Sequence, residues 1–170
     1  MEILAQTIGI IAMAVGAFSL AQKNTKTILF IQIFSTALFS INYFLLGAYA
    51  GAVLNVLSLA RNLIIRQKKR AWANPKIWFP IFVVSFAIAV YLSGDGLMGL
   101  LPFAGCIFVS IGLYIDDGSK ARRFIVWSSP CWLIYNIISF TIGGIIAEII
   151  NMCSLISAFI RFDMKKSSNQ

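Results

Sequence analysis

Seven stretches of roughly twenty mostly apolar residues, separated by short polar or basic connections, decide what this chain can fold into. They run Ile3–Ala21, Thr27–Leu46, Ala48–Ile65, Ile77–Ser93, Leu97–Ile115, Phe124–Ile142 and Gly143–Ile160. In hydrocarbon every backbone N–H and C=O must be satisfied within its own segment, so stretches of this length become spanning helices. The expected fold is an all-α membrane protein with seven transmembrane helices. With 59% hydrophobic residues, 12% charged residues and a mean hydropathy of +0.86, the chain has too little polar surface for a water-soluble domain. Gly47 and the Gly143-Gly144 pair mark the two tightest expected turns. The first stretch is expected to remain as a helix, since Glu2 rather than a basic run precedes it and no small-residue cleavage site follows.

Lys and Arg number 14 and Asp and Glu number 6, a net charge of +8. In a soluble protein that excess would suggest nucleic acid, but here position accounts for it. Lys23 and Lys26 follow the first stretch; Arg61, Arg66, Lys68, Lys69, Arg70 and Lys76 surround the end of the third. Lys120, Arg122 and Arg123 precede the sixth, and Arg161, Lys165 and Lys166 follow the seventh. Seven crossings put all of them at or near one face. Cytoplasmic loops collect basic residues, so the reading is a multi-pass membrane protein with its amino terminus outside and its carboxy terminus cytoplasmic. Glu2 and Asp95 lie on the outer side. Arg61, about one turn from the inner end of its span, is expected to snorkel to the interface.

The chemistry that is missing narrows the function. The chain has no histidine and no Cys-x-x-Cys pair, so no metal or other cofactor is implied. Cys106, Cys131 and Cys153 fall inside spans, where a thiol serves as a small apolar filler. No Ser-His-Asp set or phosphate-cradling glycine loop is present, so an enzyme is not expected.

Sliding the chain by 96 residues lays stretches one to three on stretches five to seven. Gly9 meets Gly105, Gly16 meets Gly112, Phe44 meets Phe140, Gly47 meets Gly143, Asn55 meets Asn151, and Ser58 and Leu59 meet Ser154 and Leu155. The expected units are residues 1–66 as a first triple-helix repeat, 67–96 as a basic loop and linker helix, 97–162 as a second triple-helix repeat, and 163–170 as a cytoplasmic tail. One linker helix between two triplets gives them the same orientation, related by an axis along the membrane normal, and a solute site would then lie between them near the midplane.

Polar residues inside the spans point the same way. Asn55, Ser58 and Asn62 share one face of the third stretch, and Glu148, Asn151 and Ser154 share one face of the seventh. Two readings stand for the Asn55 and Asn151 amides: they bind a solute, or they hold helices together. Sixteen residues before each Asn stands an aromatic ring, Phe39 and Tyr135, which either stacks on a solute or simply packs. Asn42 and Asn136 would extend the same polar path. Glu148 is the one carboxylate within a span; it either exchanges a proton or cation, or sits shallow enough to meet headgroup water. Pro130 lacks a backbone donor and should loosen the sixth helix around Val126, for movement or for shape.

The runs Leu45-Leu46-Gly47-Ala48-Tyr49 and Cys131-Trp132-Leu133-Ile134-Tyr135-Asn136, with Ile142-Gly143-Gly144, Glu148 and Ile160-Arg161-Phe162, resemble the YgjV family of bacterial inner membrane proteins. More remotely, the three-plus-one-plus-three layout and the aromatic-to-Asn spacing resemble the SWEET and PQ-loop transporters. That second resemblance implies a central cavity lined by Phe39, Asn55, Tyr135 and Asn151. Ala21-Gln22 and Asp116-Asp117 stand where those transporters carry Pro-Gln. The expected partners are the lipid bilayer and a small polar solute, and a seven-helix monomer can be complete by itself. The competing reading is a non-transporting membrane protein that binds a partner or lipid, its Lys68-Lys69-Arg70 cluster meeting anionic headgroups.

Overall fold

The computed structural model describes residues 2–20, 25–67, 70–115 and 118–159. Lys23, Lys68, Lys69, Ala21-Gln22, Asp116-Asp117, Arg161, Lys165, Lys166 and the tail 163–170 lie outside the described residues. Eight α-helices occupy the described chain: α1 (Glu2–Leu20), α2 (Thr25–Leu45), α3 (Tyr49–Ile65), α4 (Pro75–Ser93), α5 (Leu100–Tyr114), α6 (Gly118–Ile125), α7 (Ser128–Ile138) and α8 (Ile142–Phe159). One-turn 3-10 segments precede α4 and α5.

Local chemistry sets several of these ends. The Asn74 side chain caps α4 by accepting the Lys76 N–H at 3.0 Å, Pro75 follows at the first helical position, and Gly94 closes the helix with φ +76°. The sixth apolar stretch is two helices rather than one. Pro130 offers no N–H to the Val126 carbonyl, and the chain turns at Val126–Trp127 between α6 and α7. Alone, the 11 residues of α7 reach only about 16 Å at 1.5 Å per residue, so α6 must continue the path.

The surface is inverted relative to that of a water-soluble protein. Ile3, Tyr91 and Leu97 are each at least 85% exposed, while Asn42, Arg61, Ser110, Asn136 and Thr141 are buried. Two segments, Pro75–Ser93 and Gly96–Tyr114, are long and apolar enough by themselves to cross a bilayer, and four shorter apolar helices accompany them.

The helices close into a ring. α1 packs on α2, α2 on α3, α3 on α5, α5 on α7, α7 on α8, and α8 returns to α1, while α4 lies outside against α3 and α5. Phe82, Phe86, Ala89 and Val90 of α4 fill the seam with Ala50, Leu54 and Cys106. At the opposite seam α1 and α8 cross at contact distance: a Cβ on Gly143 would stand 2.2 Å from the Gly9 carbonyl oxygen.

This crossing corrects the expectation that Gly143-Gly144 forms a turn. Both glycines lie inside α8, where they admit the α1 backbone and the Asn136 side chain. The turn is Ser139–Thr141, with Phe140 in the left-handed region at φ 51°. Its hydrogen bonds copy those of the α2–α3 turn. Leu46, Gly47 and Ala48 donate N–H to the carbonyls of Asn42, Phe44 and Tyr43; Ser139, Phe140 and Thr141 donate to Tyr135, Ile137 and Asn136. Every pair differs by 93 residues, not 96. In the structure Gly47 corresponds to Phe140, Phe39 to Trp132, Asn55 to Glu148, Ser58 to Asn151 and Arg61 to Ser154.

Candidate functional site

A cavity of about 570 Å³ lies inside the ring. On the α3 wall it meets Asn55, Ser58, Arg61 and Asn62; on the α8 wall, Gly144, Glu148, Asn151 and Ser154. Counted from the two matching turns, the lining residues take the same three levels along α3 and α8: Asn55 and Glu148, Ser58 and Asn151, and Arg61 and Ser154. Successive levels are three residues, or about 4.5 Å, apart along the helices. The cavity extends past Ser154 to Arg66 at the end of α3 and to Ile125 of α6. It therefore reaches the end of the molecule that carries the basic residues.

The opposite end is sealed by rings. Phe39, Tyr43, Trp132 and Tyr135 form a chain of aromatic contacts with centroids 5.9 to 6.3 Å apart. Phe39, Tyr43 and Trp132 face the cavity. Behind them a polar clasp joins α2, α3, α7 and the loop after α4. The Tyr43 hydroxyl donates to Asn136 Oδ1 at 2.5 Å. The Tyr135 hydroxyl accepts the Gly51 N–H at 2.9 Å and donates to Asp95 Oδ2 at 2.8 Å, and the same carboxylate oxygen accepts the Ala50 N–H at 3.0 Å. Asp95, from the loop after α4, thus caps α3 from a distance, where a helix N-terminus favours negative charge. Gln6 adds a tie between α1 and the α7–α8 turn through the Phe140 carbonyl and the Ile142 N–H.

Of the residues singled out in sequence, Phe39, Asn55, Ser58, Glu148, Asn151 and Ser154 all meet at the cavity. Tyr135 does not. It is 1% exposed and points into the clasp, and Trp132 occupies the wall position in its place. The three-residue difference in register accounts for this: counted from the matching turns, Trp132 rather than Tyr135 takes the position on α7 that Phe39 takes on α2. The Asn55 amide donates to the Gly51 carbonyl of its own helix at 2.9 Å. Ser58 lies 3.4 Å from the Cys106 sulfur, and the Glu148 carboxyl is faced by the side chains of Ser129 and Asn151. Asn136 lines the cavity, whereas Asn42 is sequestered between α1 and α2, donating to the Ala5 carbonyl at 2.7 Å. The polar path therefore contains Asn136 and excludes Asn42. Pro130 sits in the first turn of α7, just after the break that brings Ser128 and Ser129 to the wall.

Arg61 is the larger correction. It does not snorkel: only 3% of the residue is exposed, and its guanidinium turns inward onto α5. Nη1 donates to the Cys106 carbonyl and to Ser110 Oγ, both at 2.9 Å, and Nε donates to Asn62 Oδ1 at 3.2 Å. The guanidinium carbon lies 5.7 Å from the centre of the Phe86 ring. These partners are neutral, and an unpaired buried cation is costly. The signal that would have found it is its spacing of three from Ser58, which puts Arg61 on the inward face of α3. Asp95 left no such signal.

Residues 3–166 match the family of bacterial inner membrane proteins called Imp-YgjV. The chain belongs to that family. Within it, the Inner membrane protein YgjV of Escherichia coli (strain K12) is 27% identical to this chain over 151 residues, covering 85% of this chain and 76% of its own length. No solved structure matches the chain. Membership in Imp-YgjV places the inverted surface in the inner membrane, with the polar cavity lined by helices and many large apolar residues turned outward.

Proposed function

We propose that the chain crosses the inner membrane seven times, with its basic end in the cytoplasm and its amino terminus outside, and carries a small polar solute through the central cavity. The observation behind this reading is the cavity itself. Its walls come from both halves of the chain, its levels pair polar residues across the two halves, and it reaches one end of the molecule while aromatic rings close the other. Two triplets in like orientation with α4 as linker, the three-plus-one-plus-three layout of the SWEET-like transporters, account for the ring and for the repeated turns. In this arrangement the conformation described is open to the cytoplasm and closed outside.

The asparagines Asn55 and Asn151, with Ser58 and Ser154, supply neutral donors and acceptors for the solute, and Phe39 and Trp132 supply flat apolar faces. Glu148, one level from Asn151, is the candidate for coupling to a proton or cation. The break before Pro130 gives α6 freedom to move relative to α7, which a change of access requires.

A ligand-stabilisation screen of the detergent-purified protein with sugars, amino acids, organic acids and small ions tests this function. The expected result is at least one stabilising compound whose effect is lost in Asn55→Ala or Asn151→Ala. Survival of every hit in both variants would instead favour a non-transporting membrane component. Reporter fusions after residues 72, 95, 119 and 168 test the topology, with inside, outside, inside and inside expected; a periplasmic signal at 168 refutes it.

A further inference from the structure

We infer that Arg61 is an anion-binding residue of the cavity, and that the solute carries a carboxylate which this guanidinium receives; the inference rests on the cavity being a solute site. Arg61 is on the cavity wall and nearly fully buried. Its hydrogen-bond acceptors, Cys106 O, Ser110 Oγ and Asn62 Oδ1, hold three of its five N–H donors and orient its plane without neutralising it. Among the described residues no carboxylate pairs with it. A cross-link from α3 to α5 needs no charge, because an amide or hydroxyl would serve the same two acceptors at less desolvation cost. The Phe86 ring, 5.7 Å from the guanidinium carbon, favours the charge but does not neutralise it, so the charge is explained by what enters the cavity.

Position agrees with this. At the 93-residue correspondence the partner of Arg61 is Ser154, which lines the same cavity and carries a hydroxyl where α3 carries a full positive charge. Arg66 lies beyond it toward the basic end, exposed, where it draws anions inward. Glu148 stands two levels away, about 9 Å along the helix direction, with Ser129 and Asn151 against it. A carboxylate arriving from the basic end meets Arg61 before it meets Glu148. One guanidinium matches one carboxylate in charge and in its planar fork. The remaining wall is made of neutral amides, hydroxyls and rings, which suit the body of a small organic acid better than a second anionic group.

The test is charge-selective thiol labelling in neutral phosphatidylcholine vesicles. In a chain carrying Cys106→Ala, Cys131→Ala and Cys153→Ala, a Ser154→Cys thiol lines the same cavity as Arg61. Its reaction rates with a sulfonate-bearing and a trimethylammonium-bearing methanethiosulfonate are compared, with Asn55→Cys as the distant control. The expected ratio favours the anionic reagent at position 154 and falls by about tenfold or more in Arg61→Gln, while Arg61→Lys keeps most of it. Benzoate should slow labelling of the Arg61 protein where benzamide does not, a comparison that stands even if Arg61→Gln fails to fold. Labelling without charge preference, or a preference unmoved by Arg61→Gln, overturns the anion site and leaves the cavity intact. Protection by inorganic phosphate but not by benzoate overturns the carboxylate assignment. No labelling at position 154 or at an Asn151→Cys thiol overturns the solute cavity, and the anion site with it.

Discussion

Replacing Tyr135 with Phe removes one oxygen from the sealed end and leaves the ring in place. That oxygen makes two bonds: it accepts from Gly51 N–H at 2.9 Å and donates to Asp95 at 2.8 Å. Gly51 lies in the first turn of α3, whose N–H groups have no partner within the helix, and it is buried. Leaving that N–H unsatisfied costs about 1–3 kcal/mol, and the bond to the carboxylate contributes about 1.5–3 kcal/mol. The two estimates overlap because water can re-solvate part of the Asp95 carboxylate, so a net loss of about 2–3 kcal/mol is expected. For a chain of this length each kcal/mol lowers Tm by roughly 2–4 °C, which gives a drop of about 4–12 °C. Thermal unfolding in detergent, followed by the fluorescence of the four tryptophans, measures it. Asp95→Asn should lose less, because its amide oxygen can still accept the Ala50 N–H. Since Tyr135 and Asp95 share a bond, Tyr135→Phe with Asp95→Asn should lose less than the sum of the single losses, with a coupling of about 1 kcal/mol. A Tyr135→Phe protein that unfolds within 1 °C of the parent, or strictly additive single losses, refutes the clasp.

The glycines separate two kinds of constraint. Gly143→Ala drives a Cβ into the Gly9 backbone, which has no side chain to give way, and should cost more than about 3 kcal/mol or abolish accumulation in the membrane, read by detergent size-exclusion yield. Gly47→Ala meets open space and pays only left-handed backbone strain, about 1–2 kcal/mol, so its Tm should fall between that of the parent and that of Gly143→Ala. Phe140→Gly relieves the same strain at the matching turn and, because Phe140 is 74% exposed, should raise Tm by about 1–3 °C. Pro130→Ala restores the donor to the Val126 carbonyl; stability should change by less than about 1 kcal/mol, because a first-turn proline costs little, while the rate of thiol labelling at Ser128→Cys should change as α6 and α7 join.

What the sequence made legible, and what it hid, divides along the physics of each signal. The apolar stretches were readable because a bilayer imposes length and composition on each helix separately, and the family match and the inverted surface agree with the inner membrane assignment. The 96-residue correspondence of the sequence differs by three from the register of the turns because a glycine can be required for two reasons. Gly47 is needed for a left-handed turn and Gly143 for a close crossing, and aligning one on the other paired residues whose backbones do different things. Three residues turn a helix through about 300°, or 60° short of a full circle, so a wide polar face tolerates that difference: Asn55 and Asn151 both reach the cavity. A single ring is less forgiving, and Tyr135 was displaced by Trp132. Arg61 and Asp95 were hidden for a different reason. A charge near the end of a span reads as interfacial unless the neighbouring helix is known, and here that neighbour is α5, 45 residues on, offering the Cys106 carbonyl. Asp95 acts on a helix terminus 45 residues before it, a relation that no periodicity carries. The parts of the chain that periodicity describes build the walls, and the parts it misses, a buried cation and a remote cap, set the charge of the cavity and the closure of its end.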